Sequence, residues 1–323
     1  MCARSTRRES DPPARSLPCR RVRALVTGGA GFIGSNLVDG LLARGDEVSI
    51  LDDLSTGRRV NLDGALAGGA TLFEGSVADP KTVAATFAGA RPEVVFHLAA
   101  QIDVRRAVED PAFDATINVV GTAIMLEAAR LAGVRRFVLA STGGAIYGEA
   151  DEIPTAEDAT PRPLSPYAAS KWSAEGYVDL YRRLHGLSTF SARLANVYGP
   201  RQDPKGEAGV IAIYCGATVD GRPATVFGDG LQTRDFVYVG DVVDAFMAAG
   251  DSDAHGYCNV GTGEETTVLQ LAEALGLEPR FEPERAGEVR RSCLDAGAAG
   301  TVLGWRARTP LKQGLDQTLA AAR

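Results

Sequence analysis

Between Ser165 and Lys171 the chain reads SPYAASK, and two of these side chains can do acid–base chemistry. Tyr167 and Lys171 stand four apart just after a proline, a spacing that puts both on one face at the start of a helix. An ordinary tyrosine has a pKa of about 10, so only about one phenol in a thousand is ionised at neutral pH. Each unit of depression requires about 1.4 kcal/mol of preferential stabilisation of the anion. An ammonium one helical turn away supplies part of that, and a bound cation adds more. The phenolate is then a general base for a sugar or alcohol hydroxyl. Spacing alone also fits a plain Tyr–Lys surface contact, so the neighbouring elements decide.

The elements that must position this pair begin at Arg21. VRALVT is an apolar run, TGGAGFIG (27–34) is a glycine-rich turn, and FIGSNLVDGLLARG follows with a helical pattern. Gly28 allows the tight turn, Gly31 lets backbone approach a pyrophosphate at the helix N-terminus, and Gly34 permits close helix–sheet packing. The next apolar run, EVSILDD, ends in Asp52 and Asp53, eighteen residues after Gly34. A carboxylate there accepts ribose hydroxyls and repels a 2′-phosphate, which predicts NAD as cofactor over NADP. Arg58 and Arg59 lie close enough to keep NADP from being excluded outright.

Further apolar runs at 93–100, 135–142 and 188–196 alternate with helical patterns such as 115–133. This rhythm predicts an α/β fold with a Rossmann-like, doubly wound parallel sheet covered on both faces. After Asn196 the rhythm loosens into a stretch rich in Gly, Pro and Asp, which predicts a smaller irregular α/β C-terminal substrate domain. The expected division is a disordered tail over 1–20, a cofactor-binding domain over 21–195 with 236–262 returning to it, and a substrate domain over 196–323.

The 323 residues are 45% hydrophobic, enough for a sizeable core, and the net charge of −7 disfavours a nucleic-acid surface. Cys2, Cys19, Cys215, Cys258 and Cys293 show no paired spacing, as expected of a reducing, cytoplasmic setting. His97, His185 and His255 have no metal-ligand spacing, so no metal is expected. The basic, Pro- and Ser-rich first twenty residues lack the apolar run of a secretory signal, and no stretch reads as a membrane span.

In order and spacing, TGGAGFIG, LDDLSTG, HLAA, STGGAIYG, SPYAASK and RLANVYGP resemble the extended short-chain dehydrogenase/reductase family, and within it the NAD-dependent nucleotide-sugar epimerases. The resemblance runs from Arg21 to the C-terminus. It implies that Tyr167 takes the proton from the sugar 4-hydroxyl, while Lys171 holds the nicotinamide ribose and depresses the phenol's pKa. The C4 hydride would pass to NAD and return to the other face of a 4-keto sugar. NAD would lie along Gly28, Gly31, Phe32, Ile33 and Gly34, then Asp52, Asp53, Leu54, Ser55, Thr56 and Gly57. Ser76 and Val77, Leu98 through Gln101 (with Ala99 and Ala100 between) and Asn118 complete that expectation. The family's Ser or Thr beside the tyrosine falls on Gly143 when counted without gaps; a shift by one residue offers Thr142, and by two Ser141. Gly144 and Ala145 stand where related dehydratases carry an acidic pair, which disfavours elimination chemistry.

For the nucleotide end the resemblance implies Asn196 and Arg234 at the diphosphate, Val226 and Phe227 at uracil, and Val210 nearby. Arg285 would meet phosphate and Glu288, in place of the usual aspartate, the uridine ribose. Ser292 at the sugar leaves room for a 2-acetamido group or a C6 carboxylate, which Arg105, Arg106 or Arg201 could answer. The expected activity is a UDP-sugar 4-epimerase acting on UDP-glucose and UDP-galactose, as a homodimer. UDP-glucuronate or UDP-N-acetylglucosamine epimerisation and a net NAD(P)-dependent oxidoreductase are the enzymatic alternatives, and an NAD-responsive binding protein the non-catalytic one.

Overall fold

The computed structural model describes residues 21–204, 209–284 and 289–323; the expected tail over 1–20 lies outside them. Strands β1 (Arg23–Thr27), β2 (Glu47–Asp52), β3 (Thr71–Glu74), β4 (Val94–His97), β5 (Arg136–Thr142) and β6 (Thr189–Leu194) alternate with helices α1 (Phe32–Arg44), α2 (Asp63–Ala67), α3 (Pro80–Ala90), α4 (Val104–Glu109), α5 (Pro111–Ala115), α6 (Gly121–Leu131), α7 (Gly143–Ile146) and α8 (Pro166–His185). The strands after β6 are β7 (Asn196–Tyr198), β8 (Ala224–Phe227), β9 (Thr233–Arg234), β10 (Phe236–Tyr238), β11 (Tyr257–Val260), β12 (Thr266–Thr267), β13 (Pro279–Glu282) and β14 (Arg291–Ser292). The later helices are α9 (Val210–Asp220), α10 (Val239–Asp251), α11 (Val268–Ala274), α12 (Gly297–Val302) and α13 (Leu311–Ala322).

One seven-stranded sheet, in the order β11-β6-β5-β4-β1-β2-β3 and parallel throughout, forms the frame. Successive strand side chains point to opposite faces, so Leu25, Val95, Phe137 and Leu139 pack beneath α3, α6 and α8. Ala24, Val26, Phe96 and Val138 pack beneath α1 and α10. Both faces are therefore covered, and β1, β4 and β5 read as near-continuous apolar runs. Helix α10 lies against α1 and β11 pairs with β6, so the chain returns to the sheet after leaving it at Asn196. The remaining elements make the small pairs β7–β10 and β8–β13 and the trio β12-β9-β14 around a separate core of Ile211, Tyr214, Phe236, Leu271 and Leu315.

One expectation needs correction. The run Pro111–Leu131 is long and apolar enough to cross a membrane by length and composition. Here it is a covering helix, continuous through a π turn at Thr116–Val120, with its inner face packed on α3 and α8. That face carries Asp114, Asn118 and Thr122, all buried and hydrogen-bonded within the protein.

Candidate active site

Strand β1 lies between β2 and β4, so the chain reverses its winding there and a crevice opens beyond the strands' C-terminal ends. Gly28 turns in the left-handed region (φ 69°), and a Cβ on it would stand 2.7 Å from the amide nitrogen of Ala99. A Cβ on Gly34 would stand 2.1 Å from the Gly28 carbonyl oxygen. The cradle is thus too tight for any side chain, which brings bare backbone to the mouth of α1. Phe32, Ile33, Asp52, Asp53, Ser55, Thr56 and Gly57 line the crevice with them. Ser76, Val77, Leu98, Ala99, Ala100 and Gln101 form its far wall, and Tyr167 and Lys171 its end.

Asp52 is held by two amides, Ala30 N–H (2.8 Å) and Leu54 N–H (2.9 Å), one on each carboxylate oxygen. Each oxygen keeps a further lone pair for a ribose hydroxyl. Burial raises its pKa above the ordinary carboxylate value, against those two hydrogen bonds. Arg59 pairs with Glu74 at 3.6 Å, which compensates the cation that could otherwise attract a 2′-phosphate. Two expected cofactor residues stand behind the lining. Leu54 takes a left-handed conformation (φ 57°) and contributes its amide to Asp52. Asn118 is buried and uses both ends of its amide on the Gln101 backbone, accepting from N–H (2.9 Å) and donating to C=O (2.9 Å).

Helix α8 starts as its sequence dictates. Ser165 caps it, accepting from Ala168 N–H at 3.2 Å, Pro166 fills the first turn, and Gly186 (φ 67°) ends it. Tyr167 and Lys171 consequently face the crevice one turn apart. The Thr142 hydroxyl lies close enough to the Tyr167 phenol to favour its ionised form, whereas the buried Ser141 Oγ has no hydrogen-bond partner among the described residues, and Ser141 lines the crevice. Burial pushes the phenol up to about 12, with the Asp114 charge second and the nearby Thr142 hydroxyl opposing. Burial pulls the Lys171 ammonium down to about 8, despite the Glu175 and Asp114 carboxylates. Burial thus sets the direction of the phenol's shift within the protein itself, and its depression by Lys171 together with a bound cationic nicotinamide stays an expectation.

Gly143 has a local reason. A Cβ there would stand 2.5 Å from Leu294 Cδ1, so the position that the ungapped count gives to the hydroxyl is filled by a leucine from the far end of the chain. Leu294 is itself fixed. Its N–H donates to Asp235 (3.3 Å), whose buried carboxylate also accepts from Thr262 N–H (2.9 Å), Thr262 Oγ1 (2.6 Å) and Gly263 N–H (3.2 Å).

Of the residues expected at the nucleotide end, Asn196 opens β7 with Oδ1 3.6 Å from where a Gly144 Cβ would stand, at the same end of the sheet as Thr142. Arg234 sits on β9 directly opposite Ser292 on β14, and its guanidinium donates to the Thr233 carbonyl (2.7 Å). Val210 is the first, half-buried residue of α9. Phe227 is half-buried on β8, but Val226 is fully buried in the C-terminal core and is not a uracil wall, because the alternation of β8 turns it inward. Arg285 and Glu288 lie outside the described residues. Arg201 is paired with Asp39 on α1. Arg105 is exposed on the first turn of α4, and Arg106 beside it stacks on Phe113 at 4.1 Å and lines the crevice.

The profile of the NAD dependent epimerase/dehydratase family matches residues 24–261. The chain belongs to that family. It is 52% identical over 307 residues to a UDP-glucose 4-epimerase of Mycolicibacterium smegmatis, covering 92% of this chain and 97% of the relative. A UDP-glucose 4-epimerase of Thermotoga maritima, solved with UDP-glucose, superposes with a TM-score of 0.88 at 44% identity, over 92% of this chain and 97% of that one. The Thermus thermophilus UDP-glucose 4-epimerase, solved with NAD, gives 0.85 at 45% identity, over 93% and 98%.

Sequence reasoning did not find every wall of this family member's crevice. Ile102, Phe113, Ile117, Ala140 and Leu194 also line it. Nor did it find Asp114, the carboxylate whose charge acts on both reactive groups. Its signal was present: Asp114 and Asn118 are polar residues four apart in an otherwise apolar helical run.

Proposed function

We infer that this chain interconverts UDP-glucose and UDP-galactose by inverting C4, with NAD retained throughout. The observation that carries this is the buried Tyr167 phenol, with Lys171 one turn on and Thr142 beside it, at the end of a crevice shaped for a dinucleotide. The cradle around Gly28 and Gly34 and the doubly held Asp52 fit the pyrophosphate and adenosine ribose of NAD. When bound, NAD supplies an acceptor for the C4 hydride and gives it back to the opposite face of the 4-keto sugar. Tyr167 removes and later restores the proton on the 4-oxygen, and Thr142 shares that hydrogen bond. Lys171, buried and protonated below about pH 8, orients the ribose hydroxyls beside the phenol. Ser141 Oγ offers a second hydroxyl to whatever lies against Ala140.

Asn196 and Arg234 are assigned to the diphosphate, Phe227 to uracil and Val210 to its neighbourhood, with Arg285 and Glu288 at phosphate and ribose. The 52% identical relative and the UDP-glucose held by the Thermotoga maritima enzyme support the choice of substrate. Gly144 and Ala145 bring no acid to the site, so elimination of water lacks its catalyst. We place the enzyme in the cytoplasm as a homodimer, for which the exposed Val108, Val120, Trp172 and Tyr177 on the α4–α6 and α8 surface are candidates. The test is to incubate the protein separately with UDP-glucose, UDP-glucuronate and UDP-N-acetylglucosamine and to resolve the epimers. UDP-galactose should form fastest, with no accumulation of reduced nicotinamide. Stoichiometric reduced cofactor would identify a net oxidoreductase instead.

A further inference from the structure

A polar seam runs beneath the loop 98–103, and the roles above make no use of its centre. Asp114 is fully buried. Its Oδ1 accepts from Gln101 Nε2 (3.0 Å) and Asn118 Nδ2 (3.0 Å), and its Oδ2 from Ser170 Oγ (2.5 Å). All three donors are neutral, so the negative charge is solvated but not cancelled by them. Ser170 precedes Lys171 and lies three residues after Tyr167, which ties the carboxylate to the helix that carries both. Gln101 lines the crevice. One carboxylate thus holds the catalytic helix against the cofactor-side loop.

The other charges around the pair are accounted for. Glu175, one turn beyond Lys171, takes three hydrogen bonds from the buried Arg193 guanidinium, the closest at 2.7 Å. His97 of β4 faces Lys171 but is held neutral, its pKa pulled down to about 3 by burial and by that ammonium. Its ring is hydrogen-bonded to Thr27 (2.7 Å) and Thr122 (3.0 Å). Glu175 still acts on Lys171, and more strongly than Asp114 does, but Asp114 is the carboxylate whose charge reaches both reactive groups, keeping the proton on the phenol and on the amine alike.

We propose that Asp114 is a positioning residue for the catalytic pair: its buried carboxylate fixes Ser170 against Gln101 and Asn118, and its charge acts on Tyr167 and Lys171 together. The proposal rests on the reading of that pair as the proton-transfer site. Asp114→Asn keeps the shape and can keep the hydrogen bonds, since the Ser170 hydroxyl can turn to accept from the new amide. Only the charge is lost. Removing an anion lets protons leave both groups more readily, so both limbs of the pH profile of kcat/KM should move to lower pH.

A readout independent of turnover is the pH dependence of Lys171 acylation by acetic anhydride, followed by peptide mass spectrometry. Its inflection should fall by about half a pH unit or more in Asp114→Asn and stay at the wild-type position in Asp114→Glu. Asp114→Ser, equally neutral and smaller, carries the same test should the asparagine variant not fold. A neutral variant whose acylation inflection and pH limbs stay in place, whatever its rate, overturns the proposal. Should Tyr167→Phe remain fully active, the reading of the pair fails, while the acylation inflection still reports whether Asp114 sets the charge balance.

Discussion

Thr142→Val removes one hydroxyl and almost nothing else. The side chain is half-buried, valine has nearly the same shape, and the hydrogen bond lost is the one proposed to the Tyr167 phenol. That bond opposes the burial that pushes the phenol to about 12, so its loss makes the phenolate harder to reach. A hydrogen bond to a charged group contributes about 1.5–3 kcal/mol, which corresponds to a kcat reduced by about 10- to 150-fold. The assay is conversion of UDP-galactose to UDP-glucose, with kcat and KM determined separately and cofactor content measured after denaturation. KM and bound NAD should change little, because the valine touches neither nucleotide. Gly143→Ser provides the counterpart. Its Cβ meets Leu294 at 2.5 Å, so a hydroxyl at the position favoured by ungapped counting should destabilise the fold and leave Thr142→Val unrescued. Wild-type kcat in Thr142→Val, or full rescue by Gly143→Ser, would refute the assignment of the assisting hydroxyl.

Gly34→Ala places a methyl 2.1 Å from the Gly28 carbonyl and should abolish NAD retention, measured by nucleotide release from the purified protein. Arg193→Met leaves the Glu175 carboxylate buried and unpaired and should cost about 3–5 kcal/mol in urea unfolding. His97 gives a pH dependence with a defined sign. Its folded pKa, about 3, lies below the ordinary 6.5, so the unfolded chain takes up a proton that the folded chain refuses. Stability should therefore fall as pH drops from about 6.5 towards 3, by a few kcal/mol in total at about 1.4 kcal/mol per unit. His97→Gln, able to bond Thr27 and Thr122, should flatten that slope in thermal melts across the same range.

Most of the parallel sheet was legible because its signals are local. The apolar runs at 93–100, 135–142 and 188–196 contain β4, β5 and β6, and the glycine turn with Asp52 marks the crevice. Strand β3 was not read, since its four residues TLFE are exposed or half-buried and carry no apolar run. The two-residue strands β9, β12 and β14 exist only through their pairing with one another. Thr142 could be narrowed from sequence to a choice with Ser141. The reason Gly143 yields its usual role is Leu294, which arrives from about the far end of the chain through the Asp235 clamp. Val226 was misplaced because a four-residue strand gives no sign of which alternate side chain faces its core. Helical spacing showed the ammonium beside the tyrosine and hid the burial that raises its pKa.

The central claim is that hydrogen leaves C4 and returns to it without meeting solvent, at a site where Tyr167 handles only the hydroxyl proton. UDP-galactose labelled with deuterium at C4 tests this most directly when the product is examined by NMR and mass spectrometry. The account predicts UDP-glucose that keeps its deuterium at C4, and none formed by Tyr167→Phe although that variant retains NAD. Product in which C4 deuterium has been replaced by solvent hydrogen, or wild-type turnover by Tyr167→Phe, would contradict it.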